Sequence, residues 1–239
     1  MTPPLVRPPG YAPAPEGTHP PLESPGYRST GLRAPSQQPV VVPHRLTEIT
    51  GPLLTGPIAP GDDDLTIGPG GEALGQRIVV FGRVLDSDGR PVPDTLVEIW
   101  QANAAGRYAH KRDNWPAPLD PNFTGGGRVL TDALGDYTFT TVKPGAYPWG
   151  NHHNAWRPAH IHFSLFGRAF PQRLVTQMYF PDDPLFAQDP IYNSVPEGAR
   201  ERMVSTFDLD ATRPEWALAF RFDIVLRGRE QTPFEEPHA

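Results

Sequence analysis

Two histidines one residue apart, His160 and His162, are the first candidates for chemistry in this sequence. They sit in Trp156-Arg157-Pro158-Ala159-His160-Ile161-His162-Phe163, a run that reads as a β-strand. Pro158 belongs at its opening, because proline cannot donate to a strand ladder. Beyond it the histidines alternate with Ala159, Ile161 and Phe163. Side chains two apart share a face and stand roughly 6–7 Å apart along the strand. Such a pair suits one metal ion if both imidazoles lean inward, although an isolated His-x-His is more often two hydrogen-bonded core residues. Two tyrosines extend the set. Tyr108, in Gly106-Arg107-Tyr108, lies at the start of a long loop, and Tyr147 follows the Pro144-Gly145 turn before Pro148-Trp149. Each alone reads as an ordinary amphipathic tyrosine. A hard trivalent cation such as ferric iron favours anionic oxygen, however, and tyrosine is a known iron ligand. Two tyrosinates, two neutral histidines and a hydroxide would neutralise such an ion, which matters because buried net charge is costly. The phenol pKa, ordinarily about 10, would be lowered by the metal itself.

The elements that must position these groups are short strands. From Gln76 onward, 77–85 and 95–100 are β-branched and apolar, and 128–132 with 136–140 read as a pair joined across Gly135. After the histidine strand, 173–180 and 218–226 alternate. Ser194-Val195-Pro196-Glu197 has the form of a capping box with an early proline, predicting one short helix to about Val204. Residues 103–127 make a loop too long to be a mere connection. Several short strands with turns between them predict an all-β, antiparallel sandwich or barrel. Residues 1–60 hold 15 of the 32 prolines, so this part should be extended or turning rather than a core. Its scattered apolar residues suit an arm laid across the domain or a partner chain. Asp62-Asp63-Asp64 lacks the ligand spacing of a calcium loop and reads as a solvated loop. The division that follows is an arm at 1–75, a β-sandwich at 76–232 and a tail at 233–239.

Composition removes several classes. A net charge of −6 argues against a nucleic-acid binder. The absence of cysteine excludes disulfides, thiolate zinc and iron–sulfur clusters. No apolar run reaches membrane-span length, and Met1-Thr2-Pro3-Pro4 is unlike a signal peptide. A cytoplasmic protein is expected, with any metal held by nitrogen and oxygen.

A longer set of runs carries a resemblance. Trp100-Gln101-Ala102-Asn103, Gly106-Arg107-Tyr108, Pro118-Leu119-Asp120-Pro121-Asn122-Phe123, Leu130-Thr131-Asp132, Lys143-Pro144-Gly145-Ala146-Tyr147-Pro148-Trp149 and the histidine strand resemble the intradiol ring-cleaving dioxygenases. The likeness is strongest to their protocatechuate-cleaving β-chain branch. It covers roughly residues 76–232 closely and the arm more loosely. The resemblance implies a transthyretin-like (prealbumin-like) antiparallel β-sandwich with long loops, a short helix and an extended Pro-rich arm. It implies a non-haem Fe(III) held by Tyr108, Tyr147, His160 and His162. Tyr147 and His162 would form the axial pair, with hydroxide as the fifth ligand. Arg157 would stand beside the substrate ring as a catalytic cation, and Tyr147 would take a catechol proton. Tyr27, Trp149, Gln177, Ile191 and Trp100 would line the substrate pocket. The implied reaction uses O2 to cleave the bond between the two hydroxylated carbons of protocatechuate, giving 3-carboxy-cis,cis-muconate in the β-ketoadipate pathway of aromatic catabolism. The implied partner is an α chain in a hetero-oligomer.

One departure stands out. The family pattern has an arginine just after the Trp149 position, near the substrate carboxylate, whereas this chain has Gly150 followed by Asn151-His152-His153. Those histidines, Arg33 or a partner chain would compensate, or the substrate lacks that carboxylate. Alternatives are cleavage of catechol or hydroxyquinol, and a non-catalytic transthyretin-like partner module. Extradiol cleavage would need ferrous iron on two histidines and a carboxylate, which the tyrosine matches oppose.

Overall fold

The computed structural model describes residues 15–21, 23–24, 26, 31, 37, 58–150, 153, 155–167 and 170–234. Tyr27, Arg33 and His152 lie outside them. Strands dominate. A small hairpin of β1 (Ile67–Gly68) and β2 (Gly71–Glu72) precedes β3 (Arg77–Leu85) and β4 (Leu96–Trp100). Then come β5 (Gly126–Leu130), β6 (Asp136–Val142), β7 (Tyr147–Trp149), β8 (Ala155–Arg157), β9 (His160–Gly167) and β10 (Phe170–Tyr179). After a helical stretch follow β11 (Thr206–Arg213), β12 (Ala217–Arg221) and β13 (Ile224–Val225). No described helix is long and apolar enough to cross a membrane.

Two open sheets share one core. The first has the order β10-β9-β4-β5 and is antiparallel throughout. In the second, β3 is flanked by β6 on one side and by β12 and β13 on the other, with β11 at the edge. Period-two alternation turns Val97, Ile99, Ile161, Phe163, Leu165, Leu174 and Met178 of the first sheet into the core. Ile78, Val80, Val84, Tyr137, Phe139 and Phe220 meet them from the second. Phe163 lies at the junction, with ring centroids 5.9 Å from Phe139 and 6.0 Å from Tyr137.

The structure corrects four local expectations. Residues 128–132 and 136–140 are not a pair: β5 joins β4 and β6 joins β3. The turn between them is a corner from one sheet to the other, closed by Asp132 Oδ1 accepting from the N–H groups of Leu134 and Asp136. Hairpins and corners use the same turn chemistry, so local sequence does not separate them. The sheets are also not wholly antiparallel, since β12 and β13 run parallel to β3. That pairing needs a long crossover, here the entire first sheet. Residues 218–226 form two strands, divided at Phe222 and Asp223. A Cβ on Gly82 would stand 1.9 Å from the Phe222 carbonyl oxygen, so only glycine admits this approach. Finally, Asp62 to Leu65 is more than a solvated loop. The Asp62 carbonyl accepts from Arg128 N–H, Leu65 N–H donates to Thr140, and Leu65 joins the core.

The helical stretch was only partly foreseen. A 3₁₀ turn at Pro184–Gln188 and α1 (Pro190–Ser194) both open on an Asp-Pro pair, with Asp183 and Asp189 as side-chain caps. This is the proline-at-N1 signature. α2 (Glu197–Arg200) continues as a 3₁₀ turn to Met203, so the expected end near Val204 holds. The capping box does not form, because Ser194 ends α1 and donates its hydroxyl to Ile191 O. β11 was not foreseen. It is a largely exposed edge strand with little burial to mark it.

Candidate metal centre

The His160 and His162 side chains lie on the face of β9 opposite the core, because Ile161, Phe163 and Leu165 take the inner face. Their ring centroids are 4.9 Å apart. Register sets their neighbours. Trp100 on β4 and Gln177 on β10 both face His162, and Tyr179 faces His160. The Trp100 and His162 rings stack at 4.7 Å and 6°. His160 is buried and its Nδ1 lies 2.7 Å from the Pro158 carbonyl. A carbonyl can only accept, so Nδ1 carries the proton and Nε2 keeps its lone pair. Burial first, then the positive charge of Arg157, holds the His160 pKa well below the ordinary histidine value. The ring is therefore neutral, as a metal ligand must be.

Two loops bring the phenols to this face. Asn103 organises the first: its Oδ1 accepts from Ala105 and Arg107 N–H, and its carbonyl accepts from Gly106 and Gly145 N–H. The last contact ties the Tyr108 loop to the Tyr147 turn. The two backbones pack so closely that a Cβ on Gly145 would lie 2.5 Å from Ala104 O, and one on Gly106 2.2 Å from Ala146 O. Gly106 also has φ +77°, which favours glycine. Asp113 holds the Tyr108 N–H at 2.8 Å. Tyr147 begins β7, directly opposite Arg157 on β8.

The result is convergence of four donors. Tyr147 Oη is 3.2 Å from His160 Nε2, and Tyr108 Oη is 3.1 Å from His162 Nε2. The two phenol rings meet edge to face at 5.5 Å. Ligands bound at about 2 Å to one first-row metal ion stand about 3 Å from each other, so this donor set fits a single ion. Its hardness and charge suit a trivalent cation. Among the described residues, no three His, Asp or Glu side chains gather as a metal site.

A buried polar network adjoins the donors. Arg157 is 2% exposed, with Nε 2.9 Å from Asp189 Oδ1 as an ion pair rather than an aligned hydrogen bond. It donates to Gln177 Oε1, and to Tyr179 Oη at 3.2 Å. The Tyr179 hydroxyl lies 2.7 Å from Gln177 Oε1 and 3.0 Å from Asp189 Oδ2. The Arg157 guanidinium sits 5.6 Å from the Trp149 ring. Burial alone would lower the Arg157 pKa, but the Asp189 carboxylate and the neighbouring phenols outweigh it and hold Arg157 charged. Ile191 is buried and its N–H donates to Asp189 Oδ1 at 2.9 Å.

The structure thus brings together Tyr108, Tyr147, His160, His162, Trp100, Arg157, Gln177 and Trp149, and links Ile191 to them through Asp189. Tyr27 lies outside the described residues. Sequence reasoning missed Asp189 and Tyr179, although the Asp-Pro start at 189–190 and the place of Tyr179 two residues beyond Gln177 were available signals. It also missed the Asn103, Gly106 and Gly145 clasp, whose contacts are between backbones.

Comparison with known proteins agrees with this geometry. The dioxygenase family pattern matches residues 49–228, and that of the protocatechuate 3,4-dioxygenase β-subunit N-terminus matches residues 11–45. The chain is 58% identical over 221 residues to the protocatechuate 3,4-dioxygenase β chain of Burkholderia cepacia, covering 91% of this chain and 94% of that one. It is 33% identical to the α chain from the same organism, over 68% of this chain and 78% of that one. Among solved structures, hydroxyquinol 1,2-dioxygenase of Pseudomonas putida DLL-E4 aligns with a TM-score of 0.54 and 25% identity, over 74% of this chain and 64% of that one. The 3-chlorocatechol 1,2-dioxygenase of Rhodococcus opacus 1CP shares the fold at a TM-score of 0.54 and 22% identity, over 72% and 68%. With its two phenols and two imidazoles gathered on one sheet face, the chain belongs to the intradiol ring-cleavage dioxygenase family, in the protocatechuate 3,4-dioxygenase β-chain branch.

Proposed function

We propose that this chain is the metal-bearing β chain of a protocatechuate 3,4-dioxygenase and cleaves protocatechuate with O2 to 3-carboxy-cis,cis-muconate. The observation that carries the reading is the convergence of Tyr108, Tyr147, His160 and His162. These four would hold a non-haem Fe(III). Bound there, the ion would supply Lewis-acid activation of the catechol toward O2. The chain's own residues do the rest. Tyr147 Oη, as a phenolate, accepts a proton from a substrate hydroxyl. His160 Nε2 stays unprotonated because Nδ1 is committed to Pro158. Arg157 presents a preorganised cation where negative charge develops. Trp149, Gln177, Ile191 and Trp100 shape the ring pocket, and Tyr27, outside the described residues, is proposed as a further substrate contact.

The finer architecture is proposed as a transthyretin-like sandwich at 76–232, with the 1–75 arm packed on it and a tail at 233–239. The β-chain likeness, and α-chain relatives at 33% identity, support an α-chain partner in a cytoplasmic hetero-oligomer.

Gly150 bears on the substrate. Among the described residues a Cβ there would meet nothing within 4 Å, so their packing does not exclude the arginine of the family pattern. A non-carboxylated catechol is therefore the second reading. The test is a purified, iron-loaded enzyme assayed on protocatechuate, catechol and hydroxyquinol. A red-brown protein with fastest turnover on protocatechuate and a carboxymuconate product is expected. Faster cleavage of catechol would overturn the substrate, and a yellow semialdehyde product would overturn the intradiol reading. A colourless protein, inactive after iron loading, would defeat the enzyme reading.

A further inference from the structure

Asp189 is a fully buried carboxylate beside the site, 0% exposed. Its Oδ1 lies 2.9 Å from Arg157 Nε and also accepts from the Ile191 N–H at 2.9 Å. Its Oδ2 lies 3.0 Å from the Tyr179 hydroxyl, which also reaches Gln177 Oε1. One carboxylate therefore joins a cation on β8, two side chains on β10 and the first turn of α1. Arginine is a long side chain with many rotamers. Trp149, Gln177 and Tyr179 touch the guanidinium but carry no compensating charge. Asp189 supplies the anion that both neutralises the buried cation and aims it.

We infer that Asp189 is a positioning residue: it holds the Arg157 cation and the Ile191 wall in one fixed relation, so that cation and pocket meet the same substrate pose. It touches neither the metal donors nor the substrate and acts through Arg157. This rests on reading Arg157 as the substrate-side cation, and the test separates the two.

The test uses the iron-loaded enzyme in its native assembly. Asp189→Asn keeps an oxygen for the Ile191 N–H and deletes the charge. It is expected to lower kcat about 10- to 100-fold, the scale of a misaimed group. KM should stay within about threefold, and iron content and the visible phenolate-to-iron band should not change. Arg157→Gln should lower kcat, and adding Asp189→Asn to it should cost no more than about twofold further, as for two residues acting as one unit. Unchanged kcat in Asp189→Asn, with a clear loss in Arg157→Gln, overturns the inference. So do losses that simply multiply in the double variant. Unchanged kcat in Arg157→Gln overturns the role of Arg157 instead. If Asp189→Asn fails to fold, Asp189→Glu keeps the pair charged but shifts it by one methylene. A folded Asp189→Glu with full kcat overturns the inference, and a folded one with kcat reduced about tenfold supports it.

Discussion

At the scale of single residues, the four proposed donors differ in what surrounds them. His160 is buried and bonded through Nδ1 to a backbone carbonyl, whereas His162 is partly exposed and stacked on Trp100. Tyr147 stands across the hairpin from Arg157, and Tyr108 beside Asp113. On the proposed reading, removing the Tyr147 hydroxyl deletes both a metal donor and a proton acceptor. Tyr147→Phe should lower kcat about 100-fold or more, with the visible band weakened and shifted. An unaltered spectrum would remove Tyr147 from the metal. The state of His160 also sets a pH dependence for the iron-free protein. Its folded pKa is held well below the unfolded value by burial and neighbouring positive charge. Below about pH 6.5 the unfolded imidazole binds a proton that the folded one refuses. This contribution is therefore present above that pH and lost as pH falls through the folded pKa. Melting temperature of the iron-free chain should drop from pH 7.5 to 5, and the same slope in His160→Gln would refute the assignment.

At the scale of elements, the proposed donors come from β9, from the loop at Tyr108 and from the turn that opens β7 at Tyr147, and loop and turn are tied by backbone. The strand half of the site could be read in advance. His-x-His needs only β periodicity to share a face, and register then brings Trp100 and Gln177 beside it. The loop half could not, because Asn103 grips Gly145 across 42 positions through its carbonyl, which any residue possesses. Glycine is required where the two loops cross. Gly145→Ala would push a methyl into Ala104 O and Gly106 N and separate Tyr108 from Tyr147. Iron per chain should fall below half and activity by about tenfold or more, as for small displacements of a site. The far-UV circular dichroism should stay unchanged. Full iron content in Gly145→Ala would mean that the clasp does not set the site.

At the scale of the whole molecule, the core lies between the sheets and the four proposed donors gather outside it, on the far face of β9. The proposed metal donors are thus free of the core's packing demands, while the sheet holds His160 and His162 in register. Within the second sheet, Tyr137 on β6 reaches across β3 to the break between β12 and β13, where its hydroxyl donates to Phe222 O at 2.5 Å. Burial, then Asp223, pushes the Tyr137 pKa well above the ordinary phenol value, so it remains a donor. Tyr137→Phe should lower stability by about 1–3 kcal/mol, the cost of an unsatisfied buried acceptor, measured by denaturant unfolding. Kinetic constants of the folded fraction should hold. An α chain co-expressed with this one should co-purify with it, and full activity of this chain alone would indicate a homo-oligomer.

Periodicity and residue type were enough to determine from the sequence the strand character, the shared face of His160 and His162, and the absence of thiolate chemistry. The flanks around Tyr108, Tyr147 and Arg157 determined the family. What the tertiary structure decided was non-local. It made the turn at Gly135 a corner rather than a hairpin, paired β3 in parallel with β12, and closed the two tyrosine loops on each other. It also set Asp189 against Arg157 across 32 positions. Such contacts join backbone groups and single charges far apart in the chain. No period or turn signal encodes which distant partner each will meet.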